Sequence, residues 1–218
     1  AMIGSFFAIA VAKQLFGGIG QNFANPALTA RILLLMSFSG MMTEKSVPLG
    51  YEAVDAVASA TPLVRMAAGE TTPSLLQMFL GVKGSCAIGE VSAAALLLGG
   101  IYLVVRRVIK PITPLVFIGT VFLFSGVLRM DPMAQILSGG LMLGAIFMAT
   151  DYATTPATNW GKAVFGLGCG IITVLIRRYG NYPEGVSFAI LLMNILTPQI
   201  DKAFVHKPFG GKKVAKHA

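Results

Sequence analysis

The sequence predicts an all-α protein built from several membrane-crossing helices, and three observations carry that expectation. Of 218 residues, 55% are hydrophobic and only 12% charged, where a soluble domain carries about 25% charged residues. Mean hydropathy is +0.75. The apolar residues gather in runs at approximately 1–12, 26–41, 86–105, 111–128, 133–150, 161–176 and 184–200, and a bilayer core about 30 Å thick needs roughly 17–25 helical residues. Such a chain cannot coat a globule with polar groups. That argues against a soluble enzyme, a disordered protein and a small disulfide scaffold.

Taken in order, runs 1–12 and 26–41 are short, so each is expected to be truncated, half-spanning or re-entrant. The chain opens inside an apolar run, without an initiator methionine or a basic leader. It is therefore expected to be the C-terminal part of a longer chain with upstream helices, rather than to begin with a signal peptide. Run 86–105 fits a full span best, with Glu90 its only charge. Seven crossings put the two ends on opposite sides. With the C-terminus cytoplasmic, the inner loops hold Lys13, Arg106, Arg107, Lys110, Lys162, Lys202, Lys207, Lys212, Lys213 and Lys216. The outer ones hold Lys45, Arg65, Lys83, Arg129, Arg177 and Arg178. The excess inside favours that orientation, although Arg177-Arg178 run against it. Residues 42–85 then form an outer-face loop and 201–218 a basic cytoplasmic tail of one membrane domain, 1–218. The net charge of +8 is scattered between apolar runs, so it reads as loop charge and not as a nucleic-acid surface.

The outer loop is too long for a plain connection. Pro62 suits the first position of a short helix with Thr61 as its N-cap, and Thr72-Pro73 suits the start of a second. Polar-glycine strings stand before several runs, at Gly20-Gln21-Asn22, Gly89-Glu90-Val91-Ser92, Gly180-Asn181-Tyr182-Pro183 and Glu184-Gly185-Val186-Ser187. They fit internal repeats with broken or re-entrant helices, as in many transporter folds, or small residues that let membrane helices pack closely. Gly166-Leu167-Gly168-Cys169-Gly170 has no preceding strand and lacks dinucleotide spacing, so it reads as close packing. Cys86 and Cys169 are far apart without a C-x-x-C, and His206 and His217 fall in the polar tail, so no metal site is expected.

Thr-Pro recurs along the chain, so a longer string must single out one threonine. Asp55-Ala56-Val57-Ala58-Ser59-Ala60-Thr61-Pro62-Leu63 does so. It resembles the flavin-attachment motif of the membrane subunits RnfD and NqrB, whose final threonine carries FMN through a phosphoester. Ala58 and Ser59 depart from that motif, which has Ser or Thr and then Gly. Phe16-Gly17-Gly18-Ile19-Gly20-Gln21-Asn22-Phe23-Ala24-Asn25-Pro26-Ala27 resembles the family's glycine-rich string. Met148-Ala149-Thr150-Asp151-Tyr152 with Gly161-Lys162 resembles its M-A-T-D string, and Gly180 through Asp201 its closing helix. Asp151-Tyr152 and Tyr182-Pro183-Glu184-Gly185 look more like RnfD than NqrB.

The resemblance implies covalent FMN on Thr61, with Asp55, Ser59 and Ala60 in the motif. Arg65, one helical turn on, is placed to face the phosphate. Without the resemblance Thr61 is an N-cap. The family's attachment enzyme acts outside the cytoplasm, which agrees with the charge count for residues 42–85. Gly17, Gly18, Gly20, Asn22 and Asn25 are expected at a broken or re-entrant helix start beside the ion route or a second, non-covalent flavin such as riboflavin; the alternative is an ordinary turn. Glu90, Asp151 and Glu184 are the acids at or inside apolar runs. They are candidates for the ion route, Glu90 foremost with Ser92 to share an ion or proton, or else helix-end caps. The implied function is that of a flavin subunit in a ferredoxin–NAD oxidoreductase complex of a prokaryotic cell membrane, which couples electron transfer to Na⁺ or H⁺ movement. Its partners would be the other subunits, a second FMN-bearing one among them, and the lipid bilayer. The alternatives are an NqrB-type, quinone-reducing subunit and a non-redox channel or carrier for a small solute.

Overall fold

A computed structural model describes residues 2–18, 20, 22–43, 62–68, 73–81, 88–180 and 185–204, and every regular element among them is helical. Helix α1 (Met2–Phe6) widens into a π-turn, Phe7–Val11, and ends in a 3₁₀ turn, Gln14–Phe16. There follow α2 (Pro26–Ser37), α3 (Ser39–Thr43), α4 (Pro62–Ala68), α5 (Leu75–Leu80), α6 (Ala93–Val105) and α7 (Ile112–Val127). The chain closes with α8 (Pro132–Leu137), α9 (Leu141–Leu143, continued by a π-turn Gly144–Met148), α10 (Asn159–Tyr179) and α11 (Val186–Ala203). Asp55, Ser59, Ala60, Thr61, Thr72, Cys86, Glu184, His206 and His217 lie outside the described residues, as do most of the 42–85 loop and the tail from residue 205.

The helix starts follow from local chemistry. Asn25 accepts from the N–H groups of Ala27 and Leu28 ahead of Pro26, and Asp131 does the same for Met133 and Ala134 ahead of Pro132. In each case a side chain meets orphan N–H groups while proline fills the position that needs no donor. Thr158 caps α10 and Ser92 caps α6. The second short helix of the long loop exists, but its cap is Ser74. The Ser74 hydroxyl accepts from Gln77 N–H while the Gln77 side chain accepts from Ser74 N–H; this reciprocal pair outcompetes Thr72-Pro73 as a start.

Three apolar runs differ from their expected form. Run 86–105 opens with a 3₁₀ turn, Ile88–Glu90, and becomes α-helical only after the extended cap Ser92, which leaves α6 with 13 residues. Among the described residues the helix long and apolar enough to cross a membrane is instead α10, with 21 residues. Its exposed Trp160 and Tyr179 lie about 28 Å apart along the axis at 1.5 Å per residue. Run 133–150 is divided. Helix α8 stops at Leu137, Ser138 is extended, Gly139 takes φ 63°, and the helix resumes at Leu141. No L-residue sits easily at Gly139, and a Cβ there would also strike Leu63 of α4. Run 26–41 divides at Phe38. The similar strings before α6 and α11 do different work: Ser92 caps its helix, whereas Ser187 is buried inside the first turn of α11.

Glycines set the packing of the long helices. A Cβ at Gly166 would lie 2.9 Å from Thr113 O, and one at Gly170 would lie 2.6 Å from Thr120 Cβ. The contacts advance together along both helices, so α7 and α10 run parallel with their backbones in close approach. Gly168 faces Met193 and Gly161 faces Ile200, so α11 runs antiparallel to α10. Close packing is thus what the Gly166–Gly170 string provides. Phe117, Val121, Leu141, Phe165, Cys169 and Ile190 fill the core between these helices.

Candidate functional site

Because α7 and α10 are parallel, their C-terminal ends share one region. Arg129 follows α7 at φ 55°. Its N–H donates to Gly126 O and that of Met130 to Ser125 O, a helix-closing turn usually given to glycine. Near the end of α10, buried Arg177 donates from Nη1 to Gln135 O (2.6 Å) and Gln135 Oε1 (3.1 Å), and from Nη2 to Ser138 O (3.3 Å). A cation thereby meets the free carbonyls and negative dipole end of α8. Arg129, Arg177 and Arg178 line a cavity of about 380 Å³ with Asp131, Gln135 and two side chains of α4, Leu63 and Met66. Pro62, the first residue of α4, is the one that follows Thr61. Guanidinium groups beside a cavity of ligand size suit a phosphate ester. Arg65 is half-buried and does not line this cavity.

A second cluster surrounds the break between α8 and α9. Glu90 is 3% exposed, and Arg31 of α2 approaches its Oε1 at 3.6 Å. A Cβ on Gly140 would come within 2.7 Å of that oxygen, so Glu90 presses against the start of α9, where a helix dipole favours negative charge. Arg177 and Glu90 thus complement the two half-helix ends at the break. The expected companion Ser92 is engaged elsewhere: its hydroxyl caps α6 and reaches Phe79 O. The charged neighbour of Glu90 is Arg31.

The third cluster holds the glycine string. Gly17, Gly18 and Gly20 have φ of 109°, 88° and 84°, which requires glycine, while a Cβ at Gly20 would meet nothing within 4 Å among the described residues. At Gly18 and Gly20 conformation, not crowding among the described residues, selects glycine. Asn25 caps α2. Asn22 Oδ1 is buried and lacks a hydrogen-bond partner among the described residues. With its amide turned to satisfy both neighbours, buried Asn194 accepts from Asn25 N–H (3.1 Å) and donates to Thr154 O (3.2 Å). Asp151 accepts from the Thr154 hydroxyl at 2.9 Å, and Thr197 also donates to Thr154 O. Asp151 is thereby part of a turn, half exposed.

The model of the NQR2, RnfD, RnfE family matches residues 1–210. The chain belongs to this family. It is 48% identical to an RnfD-type subunit of the Na⁺-translocating ferredoxin:NAD⁺ oxidoreductase complex of Acetobacterium woodii, over all of this chain and 68% of that one. It is 42% identical to the corresponding subunit of the proton-translocating ferredoxin:NAD⁺ oxidoreductase complex of Clostridium ljungdahlii, over 97% of this chain and 68% of the other. The corresponding subunit of the ion-translocating oxidoreductase complex of Stutzerimonas stutzeri is 36% identical over 96% of this chain and 70% of its own. This is a family of membrane proteins.

Within this NQR2, RnfD, RnfE chain, three of the strings that carry the resemblance meet through Asn194: the glycine string at Asn25, the M-A-T-D turn at Thr154, and the closing helix itself. Sequence reading missed Arg31 and the convergence of Arg129, Arg177 and Arg178. The signals were present. Arg31 is a lone cation in an apolar run, and Arg177-Arg178 oppose the charge rule that the other loops follow.

Proposed function

We propose that the chain is the RnfD-type membrane subunit of a prokaryotic ion-translocating ferredoxin:NAD⁺ oxidoreductase, works with the other subunits of that complex, a second FMN-bearing one among them, and carries FMN on Thr61. The observation that carries the flavin reading is the arginine-lined cavity beside α4, whose first residue follows Thr61. FMN held there supplies a carrier that takes up and releases electrons one or two at a time. Arg129 and Arg178 would offset the charge of its phosphoester, with Arg177 held in place by the end of α8, and Leu63 and Met66 would give the ring an apolar wall.

The chain, in this reading, crosses the bilayer several times as one membrane domain with its C-terminus in the cytoplasm. Trp160 and Tyr179 mark the two interfaces of α10, since aromatic residues collect there and the span matches the hydrocarbon core. The assignment of faces is supported by which loops meet. Arg107, Lys110 and Lys162 line one cavity, while Leu63, Arg129 and Arg177 line another. The short α2 reaches the interrupted α8–α9 through Arg31 and Glu90, and broken helices of this kind are a setting in which transporters bind ions. Glu90, with Arg31, is the favoured member of the ion route over Asp151 and Glu184. Among the described residues, the unpartnered Asn22 Oδ1 and the space at Gly20 support a second, non-covalent flavin such as riboflavin near Gly17, Gly18 and Asn25.

The test is Thr61→Ala within the whole complex. The altered chain is expected to insert in membranes normally and to lose in-gel flavin fluorescence. Fluorescence equal to that of the parent would sink the assignment.

A further inference from the structure

We infer that the N-terminal ends of α7 and α10 form a seat for one anionic phospholipid. A cavity of about 330 Å³ there is lined by Arg107, Lys110, Lys162, Tyr152 and Thr155 among others. Arg107 is held at φ 57° by a helix-closing turn after α6, a conformation that L-residues rarely adopt. The acids nearby do not line the cavity. Asp151 accepts from Thr154 and Asp201 from Ala157 N–H, although the charge of Asp201 still reaches Lys162. Lys110 donates to the neutral amide of Asn159 at 3.0 Å. Three cations and the positive end of α10 thus face one space.

The cavity does not end in polar surface. Ile109 lines it and also lines an adjoining groove of about 250 Å³ between α6 and α7. That groove is walled by aliphatic residues such as Leu97, Ile101, Val104, Leu115 and Ile118, with two prolines, Gly100 and Ile146. It runs back along α6 from Val105 to Leu97, about 12 Å at 1.5 Å per residue. Tyr152 and Trp160, 74% and 75% exposed, stand beside the basic cavity as interfacial aromatics do at headgroup depth. A cationic cavity at that depth, adjoining through Ile109 an apolar groove directed along the helices, matches a phosphate and one acyl chain joined in a single molecule. The inference does not depend on the flavin assignment.

The experiment uses the purified, delipidated complex, titrated with phosphatidylglycerol and read by native mass spectrometry. The parent complex is expected to hold one phosphatidylglycerol more tightly than the rest. Lys110→Gln/Lys162→Gln should need about tenfold more lipid to fill that place, as expected when charge-assisted contacts to a phosphate are lost. Leu115→Trp, which fills the groove and keeps every charge, should weaken the same binding. Lys202→Gln, outside the cavity, should not. A photoreactive phosphatidylglycerol on the unaltered complex should label peptides from 97–118 and 150–162, a readout independent of any variant. Equal retention in all variants without such labelling would overturn the seat. Binding of inorganic phosphate at the cavity with no lipid retained would also overturn it, in favour of a soluble anion.

Discussion

The two ends of the α7–α10 pair carry the same number of cations in opposite settings. At the C-terminal ends are Arg129, Arg177 and Arg178; at the N-terminal ends are Arg107, Lys110 and Lys162. Each set includes an arginine at positive φ that closes a helix. In the C-terminal set Arg177 meets carbonyls. Arg177 is buried and donates three hydrogen bonds to the end of α8, so its charge is answered within the fold. In the N-terminal set Lys110 and Lys162 stand at the positive starts of α7 and α10, with Lys110 bound to a neutral amide, while Arg107 follows the end of α6. A count of charges treats the two sets alike. The polarity of the helix ends they face makes Arg177 a structural clamp within the first set, with Arg129 and Arg178 left beside the cavity, and makes the whole second set a site that invites an anion.

The sharpest way to break this comparison is at Arg177. Arg177→Met leaves the carbonyls of Gln135 and Ser138 unmet in a buried place, at about 1–3 kcal/mol for each unsatisfied group. A fall of several degrees in the unfolding temperature of the complex is expected, with lower subunit yield. Arg177→Lys should recover little, since an ammonium does not reproduce the two-pronged geometry. A neutral result for Arg177→Met would remove the structural half of the contrast.

At the α8–α9 break, beside Arg177, lies Glu90, and there the contrast can be sharpened. Glu90→Gln keeps the shape, removes the charge and leaves Arg31 without its carboxylate, a loss of about 1–3 kcal/mol. The variant is expected to keep FMN and its reduction while ion transport in proteoliposomes is lost. Glu90→Gln/Arg31→Gln then separates two roles. If Glu90 carries coupling, the double variant regains stability but not transport. Recovery of both would reduce the pair to a structural bridge.

The sequence made the helices legible, and several of their starts, because caps and prolines are local. Asn25-Pro26, Asp131-Pro132 and Pro62 can be read from neighbours alone. The break at Ser138-Gly139-Gly140 was hidden inside an apolar run, since hydropathy registers composition and not φ. Run 86–105 misled for the same reason: its hydropathy was that of a span, but Ser92 bonds the backbone in a way that starts a helix late. A motif could name a residue whose place is then seen, as at Asn25, which caps α2. The candidate site was illegible where partners come from distant helices. Nothing near Glu90 in the chain points to Arg31, and nothing near Pro62 points to Arg177. What the chain did carry was an anomaly, two arginines on the face expected to be poor in them, and the carbonyls of α8 now account for one.

The smallest effect is expected at Lys110, and it is the one that separates a clamp from a binding site. Lys110 is exposed and makes one hydrogen bond, to Asn159; surface contacts of this kind contribute about 0–1 kcal/mol. Its ammonium also stands near Lys162 and the positive end of α10. Removing the charge relieves repulsion as it removes the bond. In the delipidated complex, Lys110→Gln should therefore shift stability by no more than about 0.5 kcal/mol in either direction. Added phosphatidylglycerol should change this. A ligand that binds only the folded state stabilises it in proportion to the logarithm of its concentration over Kd, so the parent should gain stability with lipid while Lys110→Gln gains less. The difference should shrink as salt screens the phosphate contact. A large loss of stability in Lys110→Gln without lipid would mean that both ends of the pair are clamps, and the contrast between them would fall.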